Sequence, residues 1–203
     1  MPAPLITDLD GVLRRWDPAI LSSAEARHGL PAGALRDAVL DDREGLLAVT
    51  TGRVSDRHWR DGIAQRLQAK YGPGAVEAVR DWSRPAGEVN DAVLALLRRE
   101  RRRGRVVAIL SNATDRLGED LRRLGLDMEV DAVVNSSVLG AAKPDPQVFR
   151  RTAQALNVAV DECLFVDDSP LNTEAASLLG MTAHHYIGPA ALAAFLAQDV
   201  ARR

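Results

Sequence analysis

LITDLDGVL, residues 5–13, is the stretch whose reading decides the fold. A short apolar run ends at Thr7, Asp8 and Asp10 follow with one residue between them, and Gly11 lets the chain turn. An apolar run of this length, bounded by a turn signal, reads as a buried strand. The stretch therefore delivers two carboxylates to one spot at a strand's carboxyl end. Two acids that close cannot share one charge state cheaply, so their pKa values are driven apart. One can stay ionised as a nucleophile or metal ligand while the other holds a proton.

From residue 105 onward the chain alternates strand and helix. RVVAIL (105–110), DAVVNSS (131–137), CLFV (163–166) and TAHHYI (182–187) read as strands. Between them lie three helices. The first carries Leu117, Leu121 and Leu124 and ends at Gly125; the second starts at Asp145-Pro146 and buries Phe149, Ala153 and Leu156. The third starts at Ser169-Pro170, with Leu171, Ala175 and Leu178 expected to face inward, and a last helix covers 189–200. Alternation of this kind predicts an α/β fold, a Rossmann-like three-layer core around a parallel sheet of about five strands.

Residues 14–85 break the rhythm, and no strand is expected there. Asp17-Pro18 starts one helix, a second runs to about Leu40, and Ser55 caps a longer one with Trp59, Ile63 and Leu67 on its buried face. A shorter helix covers 74–81, and a core helix over 88–103 turns Val89, Val93, Leu96 and Leu97 inward. The expected division is an α/β core of residues 1–15 and 86–203 and an inserted all-helical cap of residues 16–85.

The chain has 203 residues, 46% hydrophobic and 27% charged, which is the balance of a globular protein rather than a disordered one. A formal net charge of −2 gives no electrostatic case for nucleic acid or an anionic membrane as partner. One cysteine, Cys163, allows no intrachain disulfide; it reads as an inert buried thiol and suits a reducing cytoplasm. No signal peptide is expected at the N-terminus, and no apolar run approaches the ~20 residues of a membrane helix. No heptad seam announces an oligomeric state.

In open parallel sheets, ligands bind at the carboxyl ends of the strands. Asp8 and Asp10 follow the first strand, Ser111-Asn112 the second, Lys143-Pro144 the loop after the third, and Asp167-Asp168 the fourth. Carboxylates from Asp8, Asp167 and Asp168 make a hard oxygen site suited to Mg²⁺. The Ser111 hydroxyl and nearby amides can hold phosphate oxygens, and Lys143 can neutralise them. A carboxylate is a competent nucleophile toward phosphorus, and phosphoryl transfer needs chiefly positioning and charge neutralisation.

These motifs, DLDGV at 8–12, SN at 111–112, KP at 143–144 and DDSPLN at 167–172, resemble in order and spacing those of the haloacid dehalogenase superfamily of hydrolases. The resemblance implies an inserted helical cap and a cytoplasmic, Mg²⁺-dependent phosphatase acting on a small phosphorylated metabolite. It implies Asp8 as nucleophile and metal ligand, and Asp10 as general acid/base that touches the metal through its backbone carbonyl. Ser111, the Asn112 amide and Gly11 would bind phosphate, with Lys143 stabilising charge. Asp168 would ligate the metal directly, and Asp167 directly or through water. Asp10 favours phosphate esters over haloacids, since a halide leaves without a proton. Within the family, the SNAT segment and DDSPLN resemble the branch of sugar-phosphate phosphatases and the epoxide-hydrolase-associated phosphatase domain, which implies sugar-phosphate substrates. The alternatives are a phosphomutase, a dehalogenase, and a catalytically silent binding protein on the same scaffold.

Plain structural roles stand beside these. Ser111-Asn112 and Ser169-Pro170 also suit helix caps, and His184 and His185 alternate across a strand and read as packing. RRERRRGR (98–105) reads as a solvated helix end whose charges suit the dipole. Arg14 and Trp16 are candidate specificity contacts, followed by Arg15, Arg53, Arg57 and His58; Trp59 and Trp82 read as cap core.

Overall fold

The computed structural model describes residues 2–201. Five parallel strands form the central sheet: β1 (Leu5–Thr7), β4 (Val107–Ser111), β5 (Ala132–Asn135), β6 (Leu164–Asp167) and β7 (Thr182–His185), in the order β5-β4-β1-β6-β7. Alternate residues of the central strands go to opposite faces, as the two-residue strand period requires. Leu5, Val107, Ile109, Leu164 and Val166 join one buried cluster, and Ile6, Ala108, Leu110 and Phe165 join the other. The first is covered by α6 (Asp91–Arg102), α7 (Leu117–Arg123) and α11 (Pro189–Ala201). The second is covered by α9 (Pro146–Ala155) and α10 (Pro170–Leu178). Burial on both faces explains why the central strands read as unbroken apolar runs.

The inserted helices form a cap with its own core. They are α1 (Ile20–Arg27), α2 (Ala34–Leu40), α3 (Arg43–Thr50), α4 (Asp56–Tyr71) and α5 (Gly74–Ser83). Leu35, Trp59, Ile63, Leu67 and Val79 pack there, with Trp82 edge-on to Trp59 at 5.8 Å between ring centroids. Ser55 Oγ accepts from the His58 amide and starts α4, as its capping chemistry predicts.

The structure corrects five sequence expectations. A strand does occur within 14–85: β2 (Arg14–Arg15) pairs antiparallel with β3 (Glu88–Val89), where the chain leaves and re-enters the core. The core helix α6 therefore starts at Asp91, not 88. The strand expected over 131–137 stops at Asn135, whose side chain accepts from the Ser137 amide and opens a short helix, α8 (Ser136–Leu139). Helix α3 was not expected; Asp42 caps it through the Gly45 amide. Along α10 the apolar spacing misleads: Leu171 and Leu178 are 68% and 82% exposed, while the smaller Thr173 and Ala176 are buried.

The basic run at 98–105 is paired rather than simply solvated. Arg98 bonds Glu129, Arg101 bonds Asp131, and buried Arg105 bonds Glu100 and Asp199. Among the described residues no helix is long and apolar enough to cross a membrane.

Candidate active site

The site lies at the carboxyl end of β1, where neighbouring connections run to opposite sides of the sheet and leave a crevice. The Asp8 amide still donates to the Val166 carbonyl of β6 at 2.8 Å, so the ladder fixes where the side chain starts. Leu9, Val12 and Leu13 are fully buried, and the Leu13 and Arg14 amides both return to the Leu9 carbonyl. The turn that carries Asp10 and Gly11 is thus pinned by apolar residues of the same motif.

Asp8 Oδ1 accepts from the Leu9 amide at 2.7 Å and faces Lys143 Nζ at 2.8 Å. Lys143 Nζ also meets Asp167 Oδ2 at 2.6 Å and the Leu110 carbonyl at 3.0 Å. One buried ammonium thus has three oxygen partners, one for each of its protons. Burial pushes the Asp8 carboxyl up to about 7; the charge of Lys143 opposes that rise and the charge of Asp167 adds to it. Burial, then Asp167, also raises Asp168 above its ordinary value. The site is short of positive charge.

Oxygens of Asp8, Asp167 and Asp168 lie within 4.8 Å of one another. A hard divalent cation accepts such donors and would relieve the repulsion among them. Gly11 is part of this fit. Its φ is +79°, and a Cβ built there would stand 2.0 Å from Asp168 Oδ2. Asp167 is the most tightly held of the three acids: its Oδ1 accepts from the Ser169 amide at 2.9 Å and from Asn172 Nδ2 at 3.0 Å. The Asp10 carboxylate is not among the three and turns instead to Arg14 and Trp16.

Ser111 ends β4, and its buried Oγ finds no hydrogen-bond partner among the described residues. A buried hydroxyl left without a partner is costly, and an anion seated over the strand ends would satisfy it. The Asn112 side chain is committed elsewhere. Its Nδ2 donates to the Lys143 carbonyl and its Oδ1 accepts the Lys143 amide, each at 2.8 Å. That pair holds the loop presenting Lys143 and leaves the Asn112 backbone amide as the candidate donor to a ligand.

Two contributors escape a reading of the sequence. Asn172 orients Asp167 from inside α10, and its place in DDSPLN was the available signal. His185 was expected to pack in a strand, but its Nε2 lies 3.0 Å from the Asp168 carbonyl. Nothing in local spacing announces that contact.

A model of the haloacid dehalogenase-like hydrolase family matches residues 5–180. A phosphatase of Mycobacterium tuberculosis is 39% identical over 90 residues, 43% of this chain and 42% of that protein. The chain spans less than two thirds of the length of the curated relatives it matches first. A phosphoglycolate phosphatase of Xanthomonas campestris is 26% identical over 187 residues, 89% of this chain and 80% of that one. Among solved structures, a family enzyme of Bacteroides thetaiotaomicron in complex with magnesium and inorganic phosphate superimposes with a TM-score of 0.74. It is 21% identical, and the match covers 91% of this chain and 93% of the other. With the motifs, the parallel sheet, the cap and the matched family model in agreement, the chain belongs to the haloacid dehalogenase-like hydrolases.

Proposed function

We propose that this protein is a Mg²⁺-dependent phosphatase that hydrolyses monoesters of small phosphorylated metabolites through a phospho-Asp8 intermediate. The observation that carries the reading is the buried ammonium of Lys143 between Asp8 and Asp167, beside the carboxylate trio and the unpartnered Ser111 hydroxyl. Asp8, Asp167 and Asp168 would hold the cation. When bound, it supplies charge neutralisation for the phosphoryl group and for the crowded acids. The relatives named as phosphatases, and the Bacteroides enzyme with its magnesium and phosphate, support the same reading. On this reading the described residues up to 15 and from 86 onward form the hydrolase core, and residues 16–85 the cap.

The residues divide the work as follows. Asp8 attacks phosphorus, and the bond from phosphorus to the leaving oxygen breaks. Asp10 gives that oxygen its proton. Water then attacks phospho-Asp8, Asp10 takes the water's proton, and phosphate leaves with Asp8 restored. Ser111 Oγ and the Asn112 amide hold the phosphoryl oxygens, while the charge of Lys143, its protons already given to Asp8, Asp167 and the Leu110 carbonyl, offsets theirs through space. Asp10 also separates this reading from the dehalogenase, whose halide needs no proton.

Sugar phosphates and phosphoglycolate are the first esters to assay, each with and without Mg²⁺. The wild-type chain should release phosphate only with the cation, and Asp8→Asn should release none while keeping its fold. Phosphate release by a folded Asp8→Asn variant would overturn the mechanism. Isomerisation of a sugar bisphosphate without free phosphate would favour a mutase.

A further inference from the structure

Arg14 is a charged side chain only 4% exposed, and its surroundings are shaped for it. Its Nε donates to Asp10 Oδ1 at 2.7 Å and its Nη2 to Asp10 Oδ2 at 2.9 Å, a two-pronged grip on one carboxylate. Its Nη1 reaches the Ala86 carbonyl at 3.3 Å and Asp120 Oδ2 at 3.4 Å. Gly87, with φ +86°, makes room: a Cβ there would stand 2.8 Å from Arg14 Cδ and Cγ. Trp16 completes the arrangement. Its ring lies 4.6 Å from the guanidinium carbon, and its Nε1 donates to Asp10 Oδ1 at 2.7 Å.

Each of these contacts belongs to a crossing between core and cap. Arg14 lies on β2, the outgoing strand; Ala86 and Gly87 immediately precede β3, the returning one. Asp120 is on α7 and also pairs with Arg116, which bonds the carbonyls of Ser83, Arg84 and Pro85 on the same return segment. With its guanidinium filled by protein acceptors, Arg14 has little left to offer a substrate.

We propose that Arg14, with Trp16, is the positioning residue for Asp10, aiming the proton-transferring carboxylate from the core–cap crossing rather than selecting the substrate. The inference rests on the phosphatase reading and deepens it. A carboxylate on an exposed turn has several rotamers, and proton transfer needs it within hydrogen-bond reach of one oxygen. The planar fork of arginine fixes both carboxylate oxygens at once, which a lysine ammonium cannot do. Trp16 fixes the ring side of the same oxygen.

The test separates steps that need Asp10 from the one that does not. p-Nitrophenyl phosphate expels an acidic phenol, so phosphorylation of Asp8 by it needs no proton donor. Cleavage of an alkyl phosphate and hydrolysis of phospho-Asp8 both need Asp10. Rapid-quench kinetics with Mg²⁺ on wild type, Arg14→Gln, Arg14→Lys and Trp16→Phe read the nitrophenolate burst and the steady state apart. The expected result for both Arg14 variants is a burst rate within about threefold of wild type. Turnover, and kcat on the alkyl ester, should fall about 100-fold, with little change in KM on the alkyl ester, where both steps slow, and a KM on p-nitrophenyl phosphate that falls with turnover, where only the second step slows. Trp16→Phe, which keeps an aromatic ring beside the guanidinium and loses the indole N–H, should show the same split to a smaller degree and carries the test if the Arg14 variants do not fold. A burst and turnover lowered equally, a raised KM at unchanged kcat, or full rescue by Arg14→Lys would overturn the inference while leaving the phosphatase reading intact. A wild-type protein inert toward every ester would overturn both.

Discussion

Lys143 and Asp167 form an ion pair 2.6 Å long, with neither side chain more than 1% exposed. The same ammonium reaches Asp8, so a single cation holds together acids from two different strand ends. Burying charges is expensive, and such an arrangement persists only where partners are complete. Lys143 therefore holds the acid cluster together, whatever charge it would also offer a phosphoryl group.

Replacing Lys143 by Met leaves Asp8 and Asp167 buried without their counter-charge. Removing one partner of a buried pair costs about 3 kcal/mol or more. In urea melts without Mg²⁺ the variant should lose about that much stability. Saturating Mg²⁺ should then stabilise it more than it stabilises wild type, because the cation takes over part of the neutralisation. Equal stabilisation of the two proteins by Mg²⁺ would show that the lysine and the cation do not share these acids.

Gly11→Ala pushes a methyl group into the Asp168 carboxylate, 2.0 Å from Oδ2, at a φ of +79° that alanine tolerates poorly. Divalent-cation affinity, read by calorimetry, should fall about tenfold or more. An unchanged affinity would remove Asp168 from the cation site.

Glu25 is buried in the cap and accepts from three backbone amides at the start of α2: Gly33, Leu35 and Arg36, at 2.8, 2.8 and 3.1 Å. A carboxylate from α1 does the work that a capping residue would do locally. Glu25→Ala should destabilise the cap by about 3 kcal/mol, seen as faster amide exchange across α1 and α2 with the α/β core protected. Exchange unchanged in α2 would mean that its amides find other partners.

Asp81 on α5 takes a hydrogen bond from His28 and another from Arg27, and these hold its carboxyl down to about 2 from an ordinary 3.8. A depressed acid adds stability that is complete above its unfolded pKa and lost as pH falls through the folded one. Thermal melts of wild type and Asp81→Asn should differ at pH 6 and converge between about pH 4 and 2. The group lies at the surface with its side chain 19% exposed, and solvent and salt screen it, so the difference should be small and shrink in salt. A difference that persists at pH 2 would assign it to packing.

The meeting of the candidate site's residues was legible in the sequence because topology does the collecting. A parallel sheet sends every strand's carboxyl end to one rim, so polar residues after LIT, VVAIL and CLFV meet without further information. Features that depend on distant partners were not legible. Arg14 looked like a surface specificity contact because Ala86 and Asp120, which enclose it, lie far along the chain. The face of α10 was misread for another reason. Helices packed close on a sheet bury small side chains, and Thr173 and Ala176 carry a weaker apolar signal than the exposed Leu171 and Leu178. The β2–β3 pair is two residues long on each strand, too short to leave a periodic pattern.

The most direct test asks which atom carries the phosphoryl group. Wild-type protein mixed with an ester substrate and Mg²⁺, quenched in acid and reduced with borohydride, converts an acyl phosphate of aspartate to homoserine. Peptide mass spectrometry then locates it. The account predicts homoserine at residue 8, absent without substrate. Homoserine at another aspartate, or none in a preparation that turns over the ester, would contradict it.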